Sequence, residues 1–575
     1  MGTEGNLVLT EVYCCEQPGR EYVRLWNSGT VPAGLTDYRL EWDGRLYRFP
    51  DTAAPLAPGE GLYVAKEPNA FRQVMTQFPQ FGLKPVPEVP SLIDEDEPPT
   101  PLSPKGGSIR LLMNGGHVAD AFVWGDGSVP NGWTGPGILP PDADRVFLRA
   151  IDESTLSGQC SGRYVMPGGT AAVWHQGTSW VPRRIMQLGQ ASFPYPTYDD
   201  VKAITAFTSP DCACSALTTF IDSAVSQLDI NIYLFTQDAL IGRLEAALAR
   251  RVPIRLLMEG EPMSGMAPGD RKALDRLRER GAQVRVLRRT PDGFKRYHLD
   301  HAKFAIADGS RALIMSDNWT HTSAPDTPKT GNRGWGVIVE SPGLSAHLTR
   351  VFAFDWNPHS PDSVDLEPKV QLPVMAASPA DMPEPMALGE PFVPVHMNGP
   401  MAVTPVLAPE HAMLETCGIT GLIRSATTHL EIEQQDVPLY WGGQEEDRST
   451  DATPNLFLEE TLAAARRGVQ VRILLGGQYL EPDNPVDNSK TREYLRRLAE
   501  QEHLPLQCRI VDYGATGMGI HNKGIMVDGK STCVSSINWT ENSPLYNREL
   551  GLILHSPEVT SYFGRIFERD WGWGK

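Results

Sequence analysis

In the first 130 residues the apolar positions come in short β-rich runs. Examples are Tyr22-Val23-Arg24-Leu25-Trp26, Tyr38-Arg39-Leu40, Leu62-Tyr63-Val64-Ala65, Ser108-Ile109-Arg110-Leu111-Leu112-Met113 and Ala121-Phe122-Val123-Trp124. Gly, Pro, Asn and Asp clusters punctuate them, the pattern of a small all-β sandwich or barrel. One long loop, from Lys84 to Lys105, is Pro-rich and carries the acidic run Asp94-Glu95-Asp96-Glu97, which reads as solvated. Residues 131–195 read as a connecting segment.

From about residue 196 the period changes. The pattern predicts a strand over Leu228–Thr236, a helix over Asp238–Arg251, a strand over Ile254–Met258, a helix over Asp270–Arg280 and a strand over Gln283–Leu287. The second half repeats the order, with strands over Leu430–Gln434, Val469–Leu475 and Leu506–Val511 and helices over Leu456–Arg467 and Thr491–Gln501. Such alternation predicts two α/β halves, 196–357 and 410–575, with helices covering a sheet. Between them, residues 358–409 hold twelve Pro and five Met without periodicity and read as a semi-rigid linker.

The two halves also share a constellation. His301-Ala302-Lys303 is followed by Asp308, Ser316 and Asn318; His521-Asn522-Lys523 is followed by Asp528, Ser536 and Asn538, at identical spacing. Asn332-Arg333 recurs as Asn547-Arg548, and Ser341-Pro342 as Ser556-Pro557. His-x-Lys on a strand puts both side chains on one face, Asp-Gly reads as a hairpin turn, and the next strand delivers Ser and Asn at i and i+2. Each copy thus offers an imidazole, an ammonium, a hydroxyl and an amide, and two copies face to face make a cradle for a tetrahedral anion. Lys303 and Lys523 would neutralise a phosphodiester, and Asn318 and Asn538 would donate to it. One neutral histidine would attack phosphorus while the other, protonated, served the departing alcohol. No ligand cluster calls for a metal, and no cofactor is expected.

Composition narrows the classes. The 575 residues are 41% hydrophobic and 21% charged, enough for three to four domains with real cores. A net charge of −18 argues against wholesale coating of nucleic acid. No apolar run reaches the roughly 18 residues of a bilayer span. No signal peptide is visible, which fits a cytosolic chain or a mature one whose targeting segment is gone. The eight Cys match no zinc pattern and are too sparse for a disulfide scaffold.

Two resemblances follow. Leu9-Thr10-Glu11-Val12-Tyr13, Glu21-Tyr22-Val23-Arg24-Leu25-Trp26-Asn27, Pro58-Gly59-Glu60-Gly61 and Asp120-Ala121-Phe122-Val123-Trp124-Gly125-Asp126 resemble a lamin-tail domain. That implies an immunoglobulin-like β-sandwich serving adhesion or targeting. The duplicated His-x-Lys…Asp…Ser-x-Asn constellation resembles the phospholipase D superfamily. That resemblance implies a bilobal pseudo-twofold α/β fold acting as a monomer and a covalent phosphohistidine. It also implies His301 as nucleophile, His521 as general acid and then base, and Asp308 and Asp528 as structural braces.

The sequence departs from the family pattern in two places. The glycine usual before the serine is Met315 in one copy and Ser535 in the other. Glu549 offers a carboxylate to orient a histidine, where its counterpart is Gly334.

For substrate, residues 271–296 hold ten Lys or Arg against three acids, a basic ridge suited to a lipid headgroup or a nucleic-acid strand. Tyr513 to Ile520 reads as a flexible apolar approach to His521, and Met315, Trp319 and Trp539 as surfaces for acyl chains. The expectation is a phospholipid phosphodiesterase or phosphatidyltransferase, cardiolipin-synthase-like, at a membrane surface or outside the cytoplasm, with a lipid alcohol as an acceptor. A metal-independent nuclease is the alternative.

Overall fold

The computed structural model describes the chain except for residues 1–5, 15–18, 59, 76–77, 95–101, 104, 126, 128–132, 135–144, 150, 153–162, 165–173, 176–179, 185–192, 194, 264, 266–267, 292–294, 328–329, 367–389, 410–417, 442–452, 479 and 481–486. The chain divides into two compact units, essentially residues up to 191 and residues from 192 onward. Most of the acidic run, residues 95–97, and the Pro- and Met-rich stretch 367–389 lie outside the described residues.

In the N-terminal unit, apolar residues alternate with polar ones along the strands and turn inward. Tyr38, Leu40 and Trp42 are buried, while Arg39 and Glu41 are not. Two sheets share one core. One has six strands in the order 180–184, 145–149, 7–13, 22–27, 61–65, 81–82; the other has five, 93–94, 45–48, 38–42, 106–113, 118–125. Leu9, Val23, Leu25, Leu40, Trp42, Ile109, Leu111, Phe122 and Trp124 fill the space between them. The stretch read as a connecting segment contributes two of these strands, Arg145–Arg149 and Trp180–Arg184. Each run is too short to stand out among the Gly and Pro around it.

The C-terminal unit carries two sheets built on one plan. In the first half the strands run 283–287, 254–259, 228–232, 303–307, 311–315, 332–340, 203–209. In the second they run 506–510, 470–475, 429–434, 523–527, 531–535, 549–555, 402–408. The predicted helices form at Asp238–Ala249, Pro268–Glu279, Leu456–Arg466 and Asn488–Glu502. Leu240, Ile241, Leu244 and Ala247 follow the helical period and are buried, which is why that helix lies on the sheet. The presumed linker supplies Ser363–Asp365, Val395–Asn398 and Ala402–Ala408, all sheet-paired. Pro405 disguised the last of these, but Ala402–Ala408 is an edge strand, where a missing N–H is tolerated.

Each half reaches into the other. Arg333 of the first half forms a buried ion pair with Asp570 of the second at 2.8 Å, and Arg548 of the second pairs with Asp355 of the first at 2.8 Å. All four are at most 1% exposed. Trp335 and Phe563 stack across the same junction, ring centroids 4.7 Å apart.

Replacing a buried pair by apolar groups is often neutral, but removing one partner strands a charge at a cost of about 3–5 kcal/mol. Asp355→Ala is therefore expected to lower the thermal midpoint sharply, whereas substituting an exposed partner such as Glu500 should barely move it. Calorimetry on the two variants checks this.

Candidate active site

Both His-x-Lys segments enter the central strand of their sheet. Lys303 pairs in register with Ile232, and Lys523 with Gln434, so each histidine sits just beyond the C-terminal end of the neighbouring antiparallel strand. Asp308 (φ 56°) with Gly309 (φ 62°), and Asp528 (φ 53°) with Gly529 (φ 64°), turn the chain into the next strand through the left-handed region. The Asp308 carboxylate accepts from the backbone N–H of Val225, Ser226 and Gln227, which holds its pKa down at about 2. Asp528 accepts likewise from Thr427, Thr428 and His429 and is also lowered. Seven positions of largely extended chain, roughly 20 Å, separate these braces from the histidines.

The two halves bring the histidines together by exchanging backbone. Asn332 and Arg333 pair with Gly519 and Ile520, and Asp300 bridges Arg548. The N–H of His301 donates to the Arg548 carbonyl at 2.9 Å, and that of His521 to the Arg333 carbonyl at 2.9 Å. The side chains follow the same exchange. His301 Nδ1 lies 2.9 and 3.0 Å from the two oxygens of Glu549, a residue of the opposite half. His521 Nδ1 lies 3.1 Å from Asp317, again of the opposite half.

Glu549 is fully buried and accepts from Ser536 Oγ at 2.5 Å, Ser543 Oγ at 2.6 Å and Asn547 Nδ2 at 3.1 Å. Burial alone would raise its pKa, but His301, Lys303 and the hydroxyl donors outweigh it, so the group is held below the usual carboxylate range. Because a carboxylate only accepts, His301 carries its proton on Nδ1 and presents a lone pair at Nε2. Among the described residues neither histidine has a partner at Nε2. Desolvation, reinforced by Lys303 and Lys523 and opposed by Glu549, brings His301 down to about 4. Desolvation and Lys523 also lower His521, against Asp317.

The lysines differ in setting. Lys303 donates to the His301 carbonyl at 2.5 Å and sits 5.2 Å over the Tyr233 ring, which meets His301 edge-on at 4.9 Å. Lys523 donates to Gln435 Oε1 at 2.8 Å, and the charge of Asp436 acts on it. Burial drives both ammonium groups down, to about 7 and about 8. Tyr233 and Gln435, equivalent in the repeat, were not anticipated from the sequence, nor was Asp317.

Other expectations change. The serine hydroxyls do not face a substrate. Ser316 Oγ accepts from Trp335 N at 3.0 Å, and Ser536 Oγ accepts from Leu550 N at 3.1 Å while donating to Glu549. A buried hydroxyl beside a strand edge is satisfied by that strand first. Asn318 and Asn538 have side-chain oxygens buried without a partner. Met315, Trp319 and Trp539 are at most 1% exposed and belong to the core, not to a ligand surface. The approach to His521 is structured, a helical turn at Tyr513–Thr516 leading to a strand at Gly519–Ile520.

The basic ridge is largely consumed in ion pairs. Arg276 and Arg280 meet Glu245, Arg271 meets Asp275, Lys295 meets Glu259, and Arg296 meets Asp362. Among the described residues no group of His, Cys, Asp and Glu is placed to hold a metal ion. No described helix is long and apolar enough to cross a membrane.

A family model described as "Cardiolipin synthase, PLD-like domain" matches residues 217–356 and 423–571, just over half of the chain and the heart of both halves. No curated protein matches the sequence. Among solved structures, the chain is similar to phosphatidylserine synthase from Haemophilus influenzae Rd KW20, at 12% identity over 67% of this chain and 89% of that one, with a TM-score of 0.46. It is similar to Nuc, a phospholipase D family member from Salmonella typhimurium, at 20% identity over 28% of this chain and 96% of that one, TM-score 0.24. NucT from Helicobacter pylori matches at 14% identity over 30% of this chain and 98% of that one, TM-score 0.23.

The site makes a pH profile explicit. An imidazole can act as a nucleophile only when unprotonated, so if His301 has that role kcat/KM should fall on the acid side near pH 4 rather than near 6.5. A general acid at His521 and anion-binding lysines both work only when protonated, so kcat/KM should fall as pH rises, first through the lowered pKa of His521 and again through about 7 to 8. Bound phosphate favours the ammonium forms, so the alkaline limb of kcat should lie higher than that of kcat/KM. Steady-state kinetics across pH 3.5–9.5 checks all three limbs.

Proposed function

We propose a reaction for this chain, which belongs to the cardiolipin synthase, PLD-like domain family: cleavage of a phospholipid phosphodiester through a phosphohistidine, with transfer to an alcohol or to water. The observation that carries the reading is the pair of imidazoles, each tied at Nδ1 to a carboxylate of the opposite half and unpartnered at Nε2, beside two buried lysines. Lys303 and Lys523 hold the phosphate, and the Asn318 and Asn538 amides steady its equatorial oxygens.

The Nε2 lone pair of His301 attacks phosphorus. A P–N bond forms as the P–O bond to the leaving alcohol breaks, and that oxygen takes the proton from Nε2 of protonated His521. The imidazolium left on His301 is balanced by Glu549. In the second step neutral His521 removes a proton from the acceptor hydroxyl, whose oxygen displaces His301 from phosphorus. His301 takes the nucleophile's role because both oxygens of Glu549 and three further donors fix its ring.

A lipid substrate is favoured over nucleic acid by the family description and by the net charge of −18. The arginines and lysines that argued for a nucleic-acid strand are spent on neighbouring carboxylates. Met263 and Leu480, on loops, and Tyr440, on the short strand Tyr440–Trp441, add exposed apolar side chains beyond the strands leading to the site, suited to a lipid surface. Work at a membrane surface is part of this proposal. So is a lamin-tail-like adhesion or targeting role for the two-sheet N-terminal unit.

Vesicles of phosphatidylglycerol incubated with the protein in EDTA, followed by mass spectrometry, check the reading. Glycerol plus a dimeric lipid, absent with His301→Ala and with His521→Ala, is the outcome expected for transfer; phosphatidic acid marks hydrolysis. Unchanged lipid together with EDTA-resistant cutting of single-stranded DNA would replace the lipid reading with a nuclease.

A further inference from the structure

Positions 334 and 549 are equivalent in the repeat and hold glycine and glutamate; positions 317 and 537 are equivalent and hold aspartate and isoleucine. The second half therefore carries its buried carboxylate on the strand that begins at residue 549, while the first half carries one on the turn between Ser316 and Asn318. A Cβ built on Gly334 would lie 1.4 Å from Asp317 Oδ2 and 2.5 Å from its Cγ. Any side chain at 334 and the carboxylate of Asp317 claim the same volume. In the second half that volume belongs to Glu549, and residue 537 is a buried apolar Ile537.

From this exclusion we infer that Asp317 is the positioning residue for His521, doing from the turn what Glu549 does for His301 from the strand, and that Gly334 is glycine to make room for it. The inference rests on the phosphodiesterase reading for its kinetic consequence, though not for its geometry. The two solutions are unequal. Glu549 meets His301 through both oxygens and receives three more donors. Asp317 meets His521 through Oδ1 alone, supported by Ser323 Oγ at 3.2 Å, and its Oδ2 has no hydrogen-bond partner. His521 is thus oriented but less tightly gripped, which suits a group that gives a proton to one oxygen and takes one from another.

A competing donor stands ready. Lys523 Nζ lies 3.2 Å from the same Nδ1. With the Asp317 carboxylate in place Nδ1 keeps its proton. With Asn in its place the ammonium becomes the donor, and the ring proton moves to Nε2.

The test uses the full chain with Asp317→Asn, Gly334→Glu and the double variant Asp317→Ile/Gly334→Glu, which imports the second half's arrangement. Turnover of bis(p-nitrophenyl) phosphate in EDTA is measured across pH, with thermal melting as a control. In parallel, ¹⁵N NMR of histidine-labelled protein reads the tautomer of His521, assigned with His521→Ala. Asp317→Asn should melt like wild type, lose at least about 10²-fold in kcat, as wrong-tautomer variants do, and move the His521 proton to Nε2. Gly334→Glu alone should be impaired, and the double variant should recover about ten-fold or more over Asp317→Asn, a coupling between contacting residues.

Wild-type kcat and an unchanged tautomer in Asp317→Asn would overturn the assignment. So would a folded double variant no more active than Asp317→Asn. If the wild-type chain turns over no phosphodiester at all, the phosphodiesterase reading fails, and the tautomer measurement still decides the role of Asp317.

Discussion

Two buried arginines hold the site in register. Arg333 and Arg548 each leave their own half, pair with Asp570 and Asp355 of the other, and in doing so fix the backbone on either side of them. The carbonyl of Arg548 receives the N–H of His301, and the next residue, Glu549, takes that histidine's Nδ1. The carbonyl of Arg333 receives the N–H of His521 in the same way. A slip of one residue would turn Glu549 to the opposite face of its strand and leave His301 without its acceptor. A buried ion pair is a weak source of net stability, yet it is costly to leave half-made, and that is what makes it a register device.

The electrostatics of the cavity follow from that assembly. Four basic groups, two imidazoles and two ammonium groups, are gathered where water is scarce. Desolvation lowers all four, and repulsion from a neighbouring lysine adds to it at His301, Lys303 and His521. On the proposed reaction, the anion that relieves this strain is the substrate. A phosphodiester entering between Lys303 and Lys523 would favour their charged forms and that of His521, so that the general acid would be armed by binding and not before. Burial is the largest influence on His301, and Glu549, although ionised, offsets only part of it.

Much of this was legible in the sequence because it is local. The repeated His301/His521, Lys303/Lys523 and Asp308/Asp528 spacing, the helical period of Leu240, Ile241, Leu244 and Ala247, and the Asp-Gly turns depend only on neighbours along the chain. What escaped depends on partners distant along the chain. Ser316 and Ser536 have the spacing of substrate ligands, but the strand edges at Trp335 and Leu550 claim them. Trp319 and Trp539 follow the catalytic strands and are drawn into the core. The arginines around 276–280 look like a free basic face until Glu245, on the neighbouring helix, is placed opposite them. Asp317 sits between Ser316 and Asn318, yet the role proposed for it cannot be read without knowing that residue 334, a glycine, leaves room for its carboxylate.

The same comparison gives the proposed division of labour in a near-symmetric site a physical basis. Tyr233 and Gln435 occupy equivalent places beside Lys303 and Lys523. The aromatic ring packs on His301 and beneath Lys303, and on that side burial brings the lysine down to about 7 and the imidazole to about 4, the direction the proposed nucleophile needs. The amide of Gln435 and the nearby Asp436 make the other side more polar, and Lys523 stays nearer its ordinary range at about 8. An imidazole beside a more fully charged lysine, tied to one carboxylate oxygen, sits between two proton demands of opposite sign. One half is therefore shaped to hold a lone pair still, the other to pass a proton back and forth. The difference lies in side chains at the ends of two otherwise equivalent strands.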